Sequence, residues 1–498
     1  MKRKFKYVIT LAFLAVGSIS FGQNKKDTVY KEVYRPQVHF SPKQHWVNDP
    51  NGMVYYNNTY HLFFQYYPKD IIWGPMHWGH AISKDLVHWR ELPIALYPDS
   101  LGYIFSGSAV VDSNNTSGFG KNGKIPMVAI FTHHDPKGEK EGKDNFQNES
   151  LAYSLDNGNT WIKYSGNPVL KNPGIRDFRD PKVMWYAREK KWVMTLATKD
   201  HITFYSAPDL KNWKKESEFG LALGAHGGVW ECPDLFPLKL DGKTYWVLIV
   251  NLNPGGPNGG SATQYFIGQF DGDKFTPVDT VTRWLDYGPD EYAGITWDNT
   301  GSRKIFLGWM SNWQYANQVP TEKWRNAMTI PRELALKRIN GEIFVTSHPV
   351  KEINNIASKP IAFNPLKGQA LSLPSMLKFN IDKIKSYSIE LSNDIGEKLV
   401  LGYDDVTKQY YIDRTKSGKT AFNVDFVKTA SAPRLTHSQS SNIQLVVDDS
   451  SLELFADEGL TVMTSIFFPN KPYNNLQIKN DKGMVITNVE LLTMKSIW

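Results

Sequence analysis

Cysteine occurs once in this 498-residue chain, at Cys232. That excludes an internal disulfide and leaves core packing to hold the fold. Long apolar runs are also missing. The run from Val8 to Val16 is too short to cross a bilayer and no later stretch is long enough, so no membrane span is expected. Charge is only mildly one-sided, with 57 Lys and Arg against 50 Asp and Glu, and four of the positive residues (Lys2, Arg3, Lys4, Lys6) crowd the start. Without them the formal charge falls from +7 to about +3, and the remaining basic runs are short and scattered. Nucleic acid is therefore not an expected partner. Long amphipathic helical patterns are scarce as well, which argues against a helical fold.

The charged start, the short apolar run and the small residues before Phe21-Gly22-Gln23 form the pattern of a secretory signal over residues 1–23. The expected protein is exported, periplasmic or extracellular, and soluble. A lipid-anchored precursor would need a cysteine at the cleavage point, and none is there, so a lipoprotein is not expected.

Aromatic residues are plentiful, and strand-like runs recur between Gly, Asn, Asp and Pro: His61–Tyr66, Pro126–Thr132, Trp192–Ala197, Ile202–Ser206, Tyr245–Val250 and Tyr265–Phe270. A turn repeats among them. Ser83 to Trp89, Ser154 to Trp161 and Ser206 to Trp213 each share a strand-ending Ser, a turn Asp and a Trp that opens the next strand. Their spacing suits four-stranded propeller blades, about five of them over the first two thirds of the chain, with an open β-sandwich as the competing reading. The expected organisation is all-β: a five-bladed propeller over 33–340, a linker with a helix-like piece over 341–368, and a β-sandwich over 369–498.

Three carboxylates stand in unusual company: Asp49 in Trp46-Val47-Asn48-Asp49-Pro50-Asn51-Gly52, Asp180 in Phe178-Arg179-Asp180-Pro181, and Glu231 in Trp230-Glu231-Cys232-Pro233-Asp234. Taken singly, each reads more readily as a structural turn acid. In a propeller, however, the first strand of every blade lines the central channel, so acids distant in sequence can converge at one mouth. Glycosidic cleavage needs such a set, with one carboxylate at the anomeric carbon and one carboxylic acid at the leaving oxygen. Glu231 suits the acid role, flanked by the weakly polar bulk of Trp230 and Cys232. Arg179 would hold Asp180 as an anion suited to gripping sugar hydroxyls.

Together with Phe105-Ser106-Gly107-Ser108 and Gly308-Trp309-Met310-Ser311-Asn312-Trp313, these motifs resemble glycoside hydrolase family 32, the β-fructosidases, and among them levanases and exo-inulinases. The resemblance runs from about Tyr34 to the C-terminus and includes Val446–Asp448 and Leu452–Phe455. It implies a five-bladed propeller with a β-sandwich and a retaining attack on fructosyl units of levan, inulin or sucrose. By that resemblance Asp49 is the nucleophile, Glu231 the acid/base and Asp180 the transition-state stabiliser. Asn48, Gln65, Trp73, Phe105, Ser106 and Arg179 match positions lining the fructosyl site, and Trp46 and Trp313 match aromatic positions at its wall. Val47 stands where Met is frequent, and Glu291 stands where the family has an aromatic at the expected rim.

No cofactor and no metal site are implied. His77, His80 and His88 read as packing and hydrogen-bonding residues, His133-His134-Asp135 as a loop near the site, and Gly255–Gly260 as a flexible loop. Three functions fit this reading: an exo-acting fructan hydrolase with an endo-levanase as its variant, a fructosyltransferase, and a non-catalytic fructan-binding protein.

Overall fold

The computed structural model describes residues 29–361, 363–364 and 367–498, so the expected signal segment lies outside the described residues. Runs of β-branched, aromatic and small residues build antiparallel strands; some, such as Met127–His134 and Ile305–Met310, are buried on both faces, whereas Tyr387–Ser392 alternates between buried and half-buried side chains. Five sheets, each with a run of four antiparallel strands, follow one another in sequence. Their first strands are His45–Tyr56, Tyr103–Val111, Phe178–Tyr186, Val229–Leu240 and Tyr292–Thr296. Neighbouring first strands touch in that order, and the fifth touches the first, so the sheets close into a five-bladed propeller. Trp324–Arg325 pairs in parallel with His45–Trp46, and Asp298 bonds through its backbone to Met53 and Tyr55 across the seam.

The repeated Ser/Asp/Trp turns join the third strand to the fourth in the first three blades. Asp85, Asp156 and Asp209 each accept backbone N–H groups from the turn that follows them. A side-chain oxygen thereby satisfies turn donors that no strand could.

The expected propeller end at residue 340 falls inside a hairpin. Asn340 and Gly341, both at positive φ, turn Arg332–Ile339 back into Glu342–Pro349, the outer strand of blade five. The blade therefore runs to Pro349, and the connector begins with a 3-10 turn at Lys351–Ile356. The connector then follows the last strand of the second domain through bridges at Ala357 and Ile361.

The second domain is a sandwich of a six-stranded and a five-stranded antiparallel sheet over an aliphatic and aromatic core. It is locked to the propeller by buried charge. Arg332 bonds Asp286 and Glu453, and His39 bridges Glu453 and Asp448 at 2.9 and 2.7 Å. Asp448 and Glu453 lie in the two C-terminal motifs noted in the sequence, so those motifs are anchors between domains.

Candidate active site

Each first strand carries a bulge at the same level of the channel. Asn48-Asp49 stand opposite Gln65 alone, and Phe105-Ser106 opposite Thr132. Asp180-Pro181, Cys232-Pro233 and Ala293-Gly294 are out of register in the same way. A bulge gives two residues where the partner strand has one, so it re-aims a side chain and tolerates a proline that a regular ladder would not. The prolines after Asp49, Asp180 and Cys232 are explained by this. Asp180, Cys232 and Ala293 also adopt positive φ, which is uncommon away from glycine.

The bulges from blades one, three and four bring the three carboxylates into one pocket of about 250 Å³, lined also by Asn48, Gln65, Trp73, Phe105, Ser106, Arg179 and Trp313. Oδ1 of Asp49 accepts from Asn48 Nδ2 at 2.8 Å and Oδ2 from Ser106 Oγ at 2.7 Å. Oδ2 of Asp180 accepts from the backbone N–H of Cys232 at 3.0 Å. The Cys232 thiol sits between the two, 3.5 Å from Asp49 and 3.6 Å from Asp180. Glu231 is oriented through both oxygens, one by Arg179 and the other by the hydroxyl of Tyr292.

Burial raises the Asp49 carboxyl above its ordinary range, against the hydrogen bond from Asn48. Burial also lifts Asp180 to about 7. Glu231 and Asp49 add to that rise, and Arg179 opposes it. Among the described residues lining the pocket, Arg179 carries the only permanent positive charge, and it is itself held by Asp177 at 2.7 Å.

Residues 39–347 match the profile of the "Glycosyl hydrolases family 32 N-terminal domain" and residues 337–496 that of the "Glycosyl hydrolases family 32 C terminal". The chain belongs to glycosyl hydrolase family 32. It is 44% identical to a levanase of Bacillus subtilis over 99% of this chain and 74% of that relative. It is 41% identical to an extracellular exo-inulinase of Aspergillus niger, covering 94% of this chain and 96% of that one. A crystal structure of exo-inulinase from Aspergillus awamori superposes with a TM-score of 0.86 at 38% identity, covering 94% and 100% of the two chains.

Three positions of this family 32 hydrolase differ from the sequence expectation. Trp46 is fully buried and does not reach the pocket wall: it stacks behind Trp313, with its indole N–H on Asn48 Oδ1 at 2.8 Å. Its place is to support the residues that do line the wall. Glu291 is not at the rim but 1% exposed, packed against Gly294 and Gly308 beneath the channel surface. Burial and the nearby Asp286 push its carboxyl up to about 8, against Arg332. Strand alternation explains the difference, because it is the next residue, Tyr292, that faces Glu231. The Gly255–Gly260 loop is not loose either, since Asn258 bonds to Tyr287 and to Ser431 of the sandwich. The loop also leads into Ser261, which holds the backbone of Trp313.

Sequence reasoning missed Tyr292, Gln147, Asp177 and Glu139. Gln147, Asp177 and Glu139 line the pocket and Tyr292 bonds Glu231. Only the position of Asp177, two residues before Arg179, carried a local signal. His134, expected near the site, stacks on Phe105 at 4.2 Å and lines the pocket with it.

Proposed function

We propose that this chain is an exported, exo-acting β-fructosidase that releases fructose from levan, inulin or sucrose by double displacement with retention. The observation that carries the reading is the convergence of Asp49, Asp180 and Glu231 from three blades in one pocket with distinct partners. Asp49 is gripped by two neutral donors, which leave its carboxylate free of an ion pair to attack the anomeric carbon. Glu231, held at both oxygens, protonates the leaving oxygen, and in the second step takes a proton from the water that cleaves the fructosyl-enzyme. Asp180, behind Cys232, holds fructose hydroxyls as the ring flattens towards the oxocarbenium ion. Trp73, Phe105 and Trp313 wall a volume suited to one ring rather than an open cleft.

The relatives' names support a fructan as substrate, and the charged N-terminal pattern supports export. Digestion of levan, inulin and sucrose to a few per cent conversion, followed by chromatography, tests this reading. Fructose almost alone is expected. Dominant short fructo-oligosaccharides at that stage would replace it with an endo-acting enzyme, longer transfer products with a fructosyltransferase, and no products with a binding protein.

A further inference from the structure

Asp180 is held in a conformation that its own sheet does not support. It sits at φ 65°, in the left-handed region, and the bulge between Arg179 and Lys182 leaves it without a ladder partner. Thr132 Oγ1, on the second strand of blade two, accepts its N–H at 3.0 Å. Blade two clamps the rest of the segment in the same way. Gln147 Oε1 accepts from the backbone N–H of Phe178 at 2.8 Å, and Ser108 Oγ donates to the carbonyl of Pro181 at 2.9 Å while it accepts from the N–H of Val183 at 3.0 Å. Three side chains of one blade thus fix the backbone that carries Arg179 and Asp180 into the pocket.

Behind this clamp lies a buried acid that does not line the pocket. Glu149 stands directly opposite Thr132 in the sheet, is fully buried, and receives the Thr132 hydroxyl proton on Oε2 at 2.8 Å. Its backbone is pinned on the other side, with its N–H on Leu170 O at 3.0 Å and its carbonyl accepting from Val169 at 2.8 Å. Oε1 has no hydrogen-bond partner among the described residues. Burial raises this carboxyl well above the ordinary range, against the bond from Thr132, and the charge of Asp180 adds to the rise. The site therefore favours the neutral acid. A hydroxyl has one proton and two lone pairs, so with its proton committed to Glu149 the Thr132 oxygen is left to accept from Asp180. Without Glu149, a buried donor is unmet and the hydroxyl turns away from that task.

We infer that Glu149 is a positioning residue for Asp180: by holding the Thr132 hydroxyl as an acceptor, it sets the backbone turn that aims the Asp180 carboxyl at the fructosyl ring. Glu149 touches neither the substrate nor the reacting atoms and acts only through Thr132 and Asp180. This inference rests on the β-fructosidase reading above, in which Asp180 grips ring hydroxyls as the oxocarbenium ion develops, so a misaimed carboxyl weakens transition-state binding more than substrate binding.

The test measures kcat and KM on sucrose per folded molecule, in the wild-type and the Asp180→Asn backgrounds. Glu149→Leu should lower kcat about 10- to 100-fold with KM within about three-fold, and Thr132→Val, which keeps the shape and removes the hydroxyl, should lower it about ten-fold. Glu149→Gln, neutral and still able to accept from Thr132, should stay within about three-fold of the wild type, and so should Thr132→Ser. In the Asp180→Asn background the further loss from Glu149→Leu or Thr132→Val should shrink to within about three-fold, because both act through the group already removed. Losses that persist undiminished in that background, a Thr132→Val enzyme that turns over like the wild type, or a Glu149→Gln enzyme as slow as Glu149→Leu, overturn the inference. If Glu149→Leu does not fold, the Thr132→Val and Glu149→Gln results decide it by themselves. Failure of the wild type to release fructose from sucrose, levan or inulin would overturn the β-fructosidase reading instead.

Discussion

Nη2 of Arg179 stands 2.8 Å from Oε1 of Glu231, and Nε of the same guanidinium stands 3.2 Å from that oxygen. With Tyr292 on the other oxygen, the carboxyl plane of Glu231 cannot turn without breaking a bond at one end. Orientation of a general acid matters most when the leaving group is poor.

Tyr292→Phe should therefore lower kcat on sucrose about 10- to 100-fold, with KM within about three-fold. The loss should nearly vanish on a fructoside with an activated leaving group, where protonation matters little. Equal losses on both substrates would mean that Tyr292 supports the fold rather than the acid.

Asp49→Ala should reduce turnover by at least about a thousand-fold, and Ser106→Ala by about ten-fold through a misplaced carboxylate. Carbon NMR of the first-formed fructose should show the retained anomer; initial release of the other anomer would exclude a covalent fructosyl-enzyme.

Asp180→Asn separates stability from activity. The folded carboxyl holds its proton to about pH 7 while an unfolded Asp loses it near its ordinary value of 3.8. Between about pH 4 and 7 the folded state thus binds more protons, and stability falls as pH rises through that window. The neutral Asn escapes this. It should raise stability at pH 8 by about 1–3 kcal/mol and change it little at pH 4, while lowering turnover at least about a hundred-fold. Denaturant unfolding at the two pH values checks it.

The junction between domains has its own pH signature. Burial disfavours charge on His39, but its bonds to Asp448 and Glu453 prevail and lift it to about 9. Its contribution is complete below about pH 6.5 and is lost as pH rises through 9. Glu453→Gln breaks the partnership with Arg332 and His39 inside the protein and should cost about 3–5 kcal/mol near pH 6. His39→Gln should remove the part of the stability lost between pH 6.5 and 9.5 in the wild type.

Much of the architecture was legible because it is periodic. Trp192–Ala197 and Tyr265–Phe270 are strands because short apolar runs rich in β-branched and aromatic residues lie between turn residues, and the Ser/Asp/Trp turns mark where third strands meet fourth. The prolines after Asp49, Asp180 and Cys232 stand at or beside bulges that only the strand register reveals. By contrast Glu291 drew attention as the odd residue of its motif, whereas its neighbour Tyr292 is the one that touches Glu231. Adjacent residues at the head of the strand point to opposite sides, and that decides which of the two faces the channel.

The sequence by itself determined the all-β class and the blade repeat and singled out three acids by their motifs, because local propensity, turn chemistry and motif spacing are written in neighbouring residues. Only the tertiary structure decided that Trp46 is a support rather than a wall, that Asp448 and Glu453 reach His39 and Arg332 across the domain boundary, and that Tyr292 and Arg179 hold the two oxygens of Glu231. The physical reason is separation along the chain. Asp448 meets His39 across 409 residues and Arg179 meets Glu231 across 52, and no local pattern encodes contacts made by closing a ring of blades.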